Sequence, residues 1–347
     1  MSRAKGFIAV AGAAAGLGAG LVAQRVAVNR RRKTDPEAGE DFGSRRGIRT
    51  RKLELPDGAH LFIEEVGSKT KRGIVFVHGS ALRTDLWHYQ FPGIGGHRLV
   101  FYDLRGHGVS QPKGSAEFTI ETLADDLLAV IEDSGLSEVI VVGHSIGGMI
   151  ALDLCHRHPE LVGSRIKGLF LANTTYRPAF ETIAGGAALS HVERFTRRPF
   201  DALGSQHERL DRLRRIIRPT DTVFMAVSLA GFGPNGSAKQ IDFTYDMLVE
   251  TPTDVIFDLM KSYRSFDVRD VLGEITIPVF VVGGTKDRLT VGDASEYLAE
   301  HLPKAELVML EGCGHMSMLE RHHEFNAMLE QFGNDVLGVR KMAKTGK

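Results

Sequence analysis

Short runs of apolar residues recur along the chain and are separated by longer stretches of mixed polarity. Residues 139–142 are four consecutive apolar residues, three of them valine. Comparable runs occupy residues 74–77, 99–102, 278–282 and 307–310, and residues 166–172 form a similar run interrupted by Lys167 and Gly168. Runs of this length, rich in β-branched and aromatic side chains, indicate strands that are buried on both faces.

The stretches between these runs show the three- and four-residue spacing of amphipathic helices. This spacing predicts helices over residues 119–134, 294–301 and 320–332. Earlier in the chain, residues 51–55 and 61–66 flank Pro-Asp-Gly, which predicts a β-hairpin. Strands that alternate with helices are typical of an α/β fold with a doubly wound, mostly parallel sheet and right-handed crossovers. Active sites in such sheets lie at the carboxyl ends of the strands.

Residues 174–267 interrupt this alternation, because they contain several helical runs and no clear buried strand. We interpret them as a helical lid inserted into a core formed by residues 51–173 and 268–340. The predicted lid helices cover residues 180–195, 208–217, 221–230, 245–249 and 252–265. Its large apolar residues are Phe195, Phe224, Met225, Val227, Leu229, Phe232, Phe243, Met247, Phe257 and Met260. Together they predict an apolar cavity for an acyl or aryl group.

The first 33 residues differ in composition from the rest of the chain. Gly6 to Ala23 is an uncharged run of 18 residues, and the basic cluster Arg30–Lys33 follows it. A helix of this length covers about 27 Å, enough to cross a hydrocarbon core. A membrane anchor through residues 6–28 is the preferred interpretation, with the catalytic domain on the cytoplasmic side. A cleaved signal peptide and a flexible tail of a cytoplasmic protein are the alternatives.

Residues 34–50 are polar and turn-rich, which predicts a linker. The composition as a whole is that of a globular protein: of 347 residues, 43% are hydrophobic and 25% charged, and the net charge is zero. This balance gives no indication of a nucleic-acid surface. The two cysteines, Cys155 and Cys313, are not in a metal-ligand spacing and do not form a disulfide framework. We therefore expect neither a metal nor a cofactor.

A serine flanked by glycines follows the apolar run 139–142. Residues 143–147 read Gly-His-Ser-Ile-Gly, the G-x-S-x-G pattern of a nucleophile elbow between strand and helix. Side chains at 143 and 147 would collide with neighbouring strands at such a sharp turn, which glycine avoids. The next helix points its amino end at Ser145, so the N–H of Ile146 can stabilise negative charge there. By itself the pattern also fits a glycine-lined turn.

A serine hydroxyl needs a base to accept its proton, and the base is normally an imidazole oriented by a carboxylate. Asp287 lies in the loop just after the run 278–282, and His315 lies just after the run 307–310. All three residues therefore lie at strand ends. They occur in the order Ser145, Asp287, His315, which is the order that the nucleophile-elbow pattern leads us to expect. Three such placements are more specific than any single motif.

Residues from about 51 to 335 resemble α/β-hydrolase fold proteins that carry a helical lid. The motifs are His78-Gly79-Ser80, the turn 103–110, the elbow 143–148, Gly284-Thr285-Lys286-Asp287 and Gly314-His315. The chain is similar to the lid-bearing esterase, cofactor-free haloperoxidase and monoacylglycerol-lipase-like branches. The resemblance implies a triad of Ser145, His315 and Asp287. It also implies an oxyanion hole formed by the N–H groups of Ile146 and Ser80.

The other polar residues near these motifs are assigned structural roles. His144 is expected to be buried against the sheet, and His78 and His107 are expected to hydrogen-bond the backbone in tight turns, rather than to act as the base. Asp103 and Arg105 are expected to pair within their turn. Asp293 is a weak rival to Asp287.

The predicted function is a serine hydrolase that cleaves carboxylic esters of apolar substrates through an acyl-enzyme. The alternatives are a ligand-binding or sensor protein of the same fold, a perhydrolase-type activity, or a C–C hydrolase or lyase. Substrate-binding residues cannot be assigned from the sequence.

Overall fold

The computed structural model describes residues 22–111, 113–183, 209, 211 and 220–338. An eight-stranded sheet forms the centre of the molecule, with the strand order β1-β2-β4-β3-β5-β6-β7-β8. The strands are β1 (Arg49–Glu54), β2 (His60–Val66), β3 (Arg72–Val77), β4 (Arg98–Tyr102), β5 (Glu138–His144), β6 (Ile166–Ala172), β7 (Val279–Gly284) and β8 (Ala305–Leu310). The hairpin β1–β2 and the pair β2–β4 are antiparallel, and all other pairs are parallel. The predicted α/β class and mostly parallel sheet are confirmed.

Helices cover both faces of this sheet. They are α1 (residues 22–33), α2 (Gln90–Gly93), α3 (Ile120–Ser134), α4 (Ile146–Arg157), α5 (Ala179–Thr182), α6 (Asp221–Gly231), α7 (Ala238–Glu250), α8 (Thr253–Ser262), α9 (Gly292–His301), α10 (Ser317–Glu320) and α11 (His322–Leu337). Short 3₁₀ turns occur at Thr84–Trp87, Pro159–Leu161 and Arg269–Glu274. Helix α3 begins at a Thr119 cap and ends at Gly135, as expected from cap chemistry.

Strand β5 shows why the apolar runs are continuous rather than alternating. Val139 and Val141 are buried in the core that contains α3 and α4, whereas Ile140 and Val142 are buried in the core that contains α11. Successive side chains of a strand point to opposite faces, and here both faces are covered by helices. Both sets of positions must therefore be apolar.

The chain leaves the sheet after β6 and returns at β7. Helices α5 to α8 lie in this connection, and the helical runs predicted around 221–230, 245–249 and 252–265 are found there. The runs predicted over 180–195 and 208–217 lie almost entirely outside the described residues. The division into a core and a lid with the stated boundaries stays a prediction.

Helix α1 packs on this connection. The Arg31 guanidinium donates to Gly236 O at 2.6 Å and to Ser228 Oγ at 2.7 Å, and Arg32 donates to both carboxylate oxygens of Asp242. The Arg32 guanidinium also lies 5.0 Å from the centre of the Phe224 ring. The basic cluster that was predicted as a membrane flank therefore attaches helix α1 to helices α6 and α7 and to the loop between them.

The segment 34–50, predicted as a linker, also makes specific contacts. Asp35 accepts hydrogen bonds from the Ser237 hydroxyl and the Lys239 N–H at the start of α7. The ring of Phe42 stacks on Phe243 with 4.8 Å between ring centres. These residues attach the front of the chain to the fold, which a free linker would not do.

In the described part of the chain, no helix is both long enough and apolar enough to cross a bilayer. The run Gly6–Ala23 lies outside that part except for its last two residues. Val28 is only 1% exposed and packs in the core around Phe224. The predicted membrane segment, residues 6–28, is therefore wrong at its carboxyl end, because Val28 is occupied by contacts within the protein.

Candidate active site

Ser145 lies at a sharp turn between β5 and α4, at the carboxyl edge of the sheet. Its backbone angles are φ 54° and ψ −120°, a conformation that costs a non-glycine residue of order 1–3 kcal/mol. The surrounding structure holds it there: the Ser145 N–H donates to Ala172 O, and its carbonyl accepts from the Thr174 hydroxyl at 2.6 Å. The turn places the serine at the amino end of α4, where the helix dipole favours negative charge.

The glycines around Ser145 are required by close approaches of the backbone. A Cβ at Gly147 would lie 2.2 Å from Val77 O in β3, which confirms the predicted collision with a neighbouring strand. A Cβ at Gly143 would lie 2.5 Å from the backbone of Gly147 and Gly148. That glycine therefore avoids the start of its own following helix, not a neighbouring strand as predicted.

His315 and Asp287 are brought together at the ends of β8 and β7. The His315 Nδ1 lies 2.9 Å from Asp287 Oδ2, and both side chains are almost completely buried. Burial alone would raise the pKa of Asp287. The neighbouring His315, the Thr290 N–H and the Asn173 amide outweigh burial and lower that pKa to about 2. Asp287 is therefore a carboxylate at neutral pH and can hold one tautomer of the His315 ring.

Two residues that the sequence reasoning missed complete the surroundings of Asp287. Asn173 follows β6 and donates its amide to Asp287 Oδ2 at 2.9 Å and to Gly314 O at 3.2 Å. The Thr290 hydroxyl lies 2.8 Å from the same carboxylate oxygen and 3.3 Å from His315 Nδ1. The position of Asn173, a polar residue directly after a buried strand, is the signal that could have identified it.

Glu320 fixes the loop that carries His315 by accepting backbone hydrogen bonds. Its two carboxylate oxygens accept the N–H groups of Gly314 and Gly233, each at 2.8 Å. Burial raises the pKa of Glu320 to about 7, although these N–H groups act in the opposite direction. Nothing in the sequence indicated this contact, because Gly233 belongs to a distant connection.

The histidines His144, His78 and His107 have structural roles, as predicted. His144 Nε2 lies 3.0 Å from the carbonyl of His315, and burial lowers the pKa of His144 to about 3. His78 Nε2 accepts the Leu104 N–H, and His107 Nε2 accepts the Ala81 N–H. Each ring is engaged with the backbone of a neighbouring turn.

The predicted pairing of Asp103 with Arg105 is wrong. Arg105 instead donates to both oxygens of Asp126 at 2.6 Å and to Asp57 at 2.7 Å. Asp103 is buried and accepts the backbone N–H groups of Thr84 and Val109. The Arg105 side chain extends to helix α3, which contains Asp126. The local sequence around Arg105 does not reveal this contact.

A cavity of about 450 Å³ opens over Ser145. Its wall includes Ser80, Ser145, Ile146 and His315, so the structure places these predicted site residues around one space. The apolar part of the wall comes from Leu82, Ile146, Met149, Ile183, Ala226, Val227, Ala230, Leu248, Met260, Leu289 and Met316. Of the large apolar lid residues predicted to form the cavity, Val227 and Met260 line it. Phe224, Phe232, Phe243 and Met247 are instead buried in the core.

The assignments to a triad and to an oxyanion hole stay predictions. The described residues contain no group of three or more His, Cys, Asp and Glu side chains able to hold a metal ion. Asp293 is exposed on helix α9 and does not line the cavity.

Curated relatives align with this chain along almost their whole length. The AB hydrolase superfamily protein YisY of Bacillus subtilis is 27% identical over 289 residues, which cover 81% of this chain and 98% of YisY. The pimeloyl-[acyl-carrier protein] methyl ester esterase of Aeromonas hydrophila is 25% identical. The alignment covers 75% of this chain and 94% of the esterase. The non-heme chloroperoxidase CPO-A1 of Kitasatospora aureofaciens is 27% identical, with coverage of 80% and 97%.

Solved structures show the same fold at lower identity. The esterase EaEST from Exiguobacterium antarcticum superposes with a TM-score of 0.65 at 21% identity, over 82% of this chain and all of EaEST. The family model described as alpha/beta hydrolase fold matches residues 74–322, well over half of the chain. The sheet order, the elbow and this match lead to one conclusion: the chain belongs to the alpha/beta hydrolase fold family.

Proposed function

We propose that the protein is a serine hydrolase that cleaves carboxylic esters of apolar acids through an acyl-enzyme. The observation that carries the proposal is the shared cavity: a serine at a strained elbow and a histidine that is paired with a buried aspartate line one apolar space. A static binding protein has no need of this combination, whereas nucleophilic catalysis requires it.

In the proposed reaction, the Ser145 Oγ attacks the ester carbonyl carbon while His315 accepts the hydroxyl proton. The carbonyl π bond opens, and the N–H groups of Ile146 and Ser80 hold the resulting oxyanion. When the C–O bond to the alcohol breaks, His315 returns the proton to the leaving oxygen. Asp287 stays ionised and stabilises the imidazolium. Water then repeats the same steps on the acyl-enzyme and releases the acid.

The apolar wall of the cavity favours an ester over a charged substrate, because the described lining residues offer a buried charge no Asp, Glu, Lys or Arg as a counter-charge. The names of the relatives agree with this choice, since the Aeromonas hydrophila protein is a methyl ester esterase. The chloroperoxidase relative makes perhydrolysis, attack of hydrogen peroxide on the acyl-enzyme in place of water, the second activity to assay.

The experiment that tests this function measures hydrolysis of p-nitrophenyl esters from acetate to dodecanoate by the purified protein. We expect turnover with an optimum at a short or medium acyl length, because about 450 Å³ also has to hold the alcohol. A fluorophosphonate probe should label one serine and abolish the activity. Absence of both turnover and labelling would contradict the proposal and favour the ligand-binding alternative.

We also propose that the uncharged run before Val22 attaches the protein to a membrane. The supporting observations are the uncharged, mostly apolar composition of residues 6–21 and the basic residues on both sides, such as Lys5 and Arg25. The full chain should pellet with membranes and resist carbonate extraction. Replacing Ile8 and Leu17 with arginine should release it, because each charge opposes insertion by about 2.5–3.5 kcal/mol. Equal release of both proteins would contradict the anchor.

A further inference from the structure

The cavity over Ser145 is not uniformly apolar, because five hydroxyl-bearing side chains of the described residues, besides the serine itself, line it. They are Ser80, Thr175, Thr244, Tyr263 and Thr290. Thr290 is engaged with Asp287, and Thr175 lies 3.4 Å from the Arg177 carbonyl. The hydroxyls of Thr244 and Tyr263, in contrast, are buried and have no hydrogen-bond partner among the residues that the structure describes.

Neither orphan hydroxyl is explained by the fold. A threonine inside a helix commonly donates to the carbonyl one turn earlier, but Thr244 in helix α7 does not, although the residue is only 4% exposed. Tyr263 directly follows helix α8, and its hydroxyl oxygen is inaccessible to solvent. Leaving such groups unpaired destabilises the empty protein, so a partner supplied by a ligand would remove a cost that is already present.

The position of Tyr263 indicates where the ligand would be polar. Its hydroxyl lies beside Ser80, whose N–H we assign to the oxyanion hole, without meeting hydrogen-bond geometry. Burial raises the pKa of Tyr263, so the phenol keeps its proton and is available as a donor. A substrate group that hydrogen-bonds to the Tyr263 hydroxyl must therefore lie close to the scissile carbonyl. It is carried by one of the first carbon atoms next to that carbonyl.

We propose that Thr244 and Tyr263 are specificity-determining residues that bind a hydrogen-bonding substituent on the acyl chain. The substrate class is then an ester of a hydroxy- or oxo-substituted acid with an otherwise apolar chain. This inference rests on the proposed ester hydrolysis and adds the polar substituent to it. The two hydroxyls position the substrate and take no part in bond breaking.

The test compares matched esters, p-nitrophenyl hexanoate against its 3-hydroxy and 3-oxo derivatives, in the full chain. The variants are Tyr263→Phe and Thr244→Val, which remove one hydroxyl each and keep the shape of the side chain. The control is Tyr297→Phe, a half-buried tyrosine that stacks on Tyr176 outside the cavity.

We expect the wild type to prefer a substituted ester in kcat/KM, and Tyr263→Phe to lower that preference about tenfold, the value of one neutral hydrogen bond. The change should fall in KM for the substituted ester rather than in kcat, and Tyr297→Phe should keep the wild-type preference. Removing an unpaired buried hydroxyl should also leave the Tm of both cavity variants equal to or above that of the wild type.

Two results would overturn the inference: an unchanged preference in both variants, or a clear fall of Tm, which would make the hydroxyls structural. A wild type that hydrolyses plain hexanoate with no preference for either derivative would also reject it and leave the esterase function intact. If the wild type hydrolysed no ester at all, the proposed function itself would fail, and this inference with it.

Discussion

Replacing Ser145 with alanine is expected to lower kcat/KM for p-nitrophenyl esters by about 10⁴- to 10⁶-fold, the range typical of a lost catalytic serine. The hydroxyl is the only group of Ser145 that can form the acyl bond, and alanine removes nothing else. The remaining rate would come from the cavity and the helix N-terminus alone. The measurement is initial rate against substrate concentration at matched protein concentrations.

The control for this variant is Ser164→Ala, an exposed serine outside the cavity, which should keep the wild-type rate. Thermal denaturation of Ser145→Ala should match the wild type, because the backbone contacts of residue 145 are unchanged. A Ser145→Ala protein that keeps more than a tenth of the activity would show that another nucleophile performs the reaction.

A third variant, Ser145→Gly, separates catalysis from backbone strain. Glycine adopts positive φ without steric cost, so at φ 54° this variant should be inactive but more stable than Ser145→Ala by about 1 kcal/mol or more. Urea denaturation measures the difference. Equal stability of the two variants would mean that the elbow stores no strain.

Replacing Gly147 with alanine is expected to destabilise the protein by more than about 3 kcal/mol or to prevent folding. The added Cβ would lie 2.2 Å from Val77 O and 3.1 Å from His78 O. Strand β3 cannot move aside, because it is paired with β4 on one side and β5 on the other. The free energy of unfolding in urea measures the effect, and soluble yield serves where the variant does not fold.

A matched control is available in the 3₁₀ turn at Arg269–Glu274. A Cβ at Gly273 would meet no atom within 4 Å, so Gly273→Ala should change stability by less than about 1 kcal/mol, and in the stabilising direction. If both glycine variants behaved alike, the close approach of α4 to β3 would be disproved.

Ser145→Ala and Gly147→Ala test different properties of the candidate site, its chemistry and its backbone geometry. Ser145→Ala tests chemistry in a protein that folds, whereas Gly147→Ala tests the turn that presents the serine. Loss of activity in Gly147→Ala is informative only if the stability of the variant is also measured. An unfolded protein is inactive whether or not the elbow takes part in catalysis.

The order of the elements and the positions of the candidate catalytic residues were predictable from the sequence. Apolar runs such as 139–142 identify strands covered on both faces, and parallel strands end at one edge of the sheet. Residues that directly follow such runs, among them Ser145, Asp287 and His315, must therefore lie near one another. Periodicity and chain direction are local properties, and local properties can be read from the sequence.

Contacts between distant segments were decided only by the tertiary structure. Arg105 could have paired with Asp103 in its own turn, but its side chain reaches Asp126 and Asp57. Arg31 and Arg32 belong to a basic cluster of the kind that flanks a membrane segment. Their guanidinium groups nevertheless donate hydrogen bonds to Gly236 and Asp242. A long charged side chain has several carboxylates within reach, and only the packing of the helices selects one of them.

The cavity shows the same limit most clearly. An apolar space over Ser145 was predicted from the many large side chains of the lid, but four of these (Phe224, Phe232, Phe243 and Met247) are in the core, and small residues such as Ala226 and Ala230 line the wall. The unpaired hydroxyls of Thr244 and Tyr263 are equally invisible in the sequence. Composition determines that a cavity of this kind can form, whereas the crossing of the lid helices over the sheet decides which side chains face it.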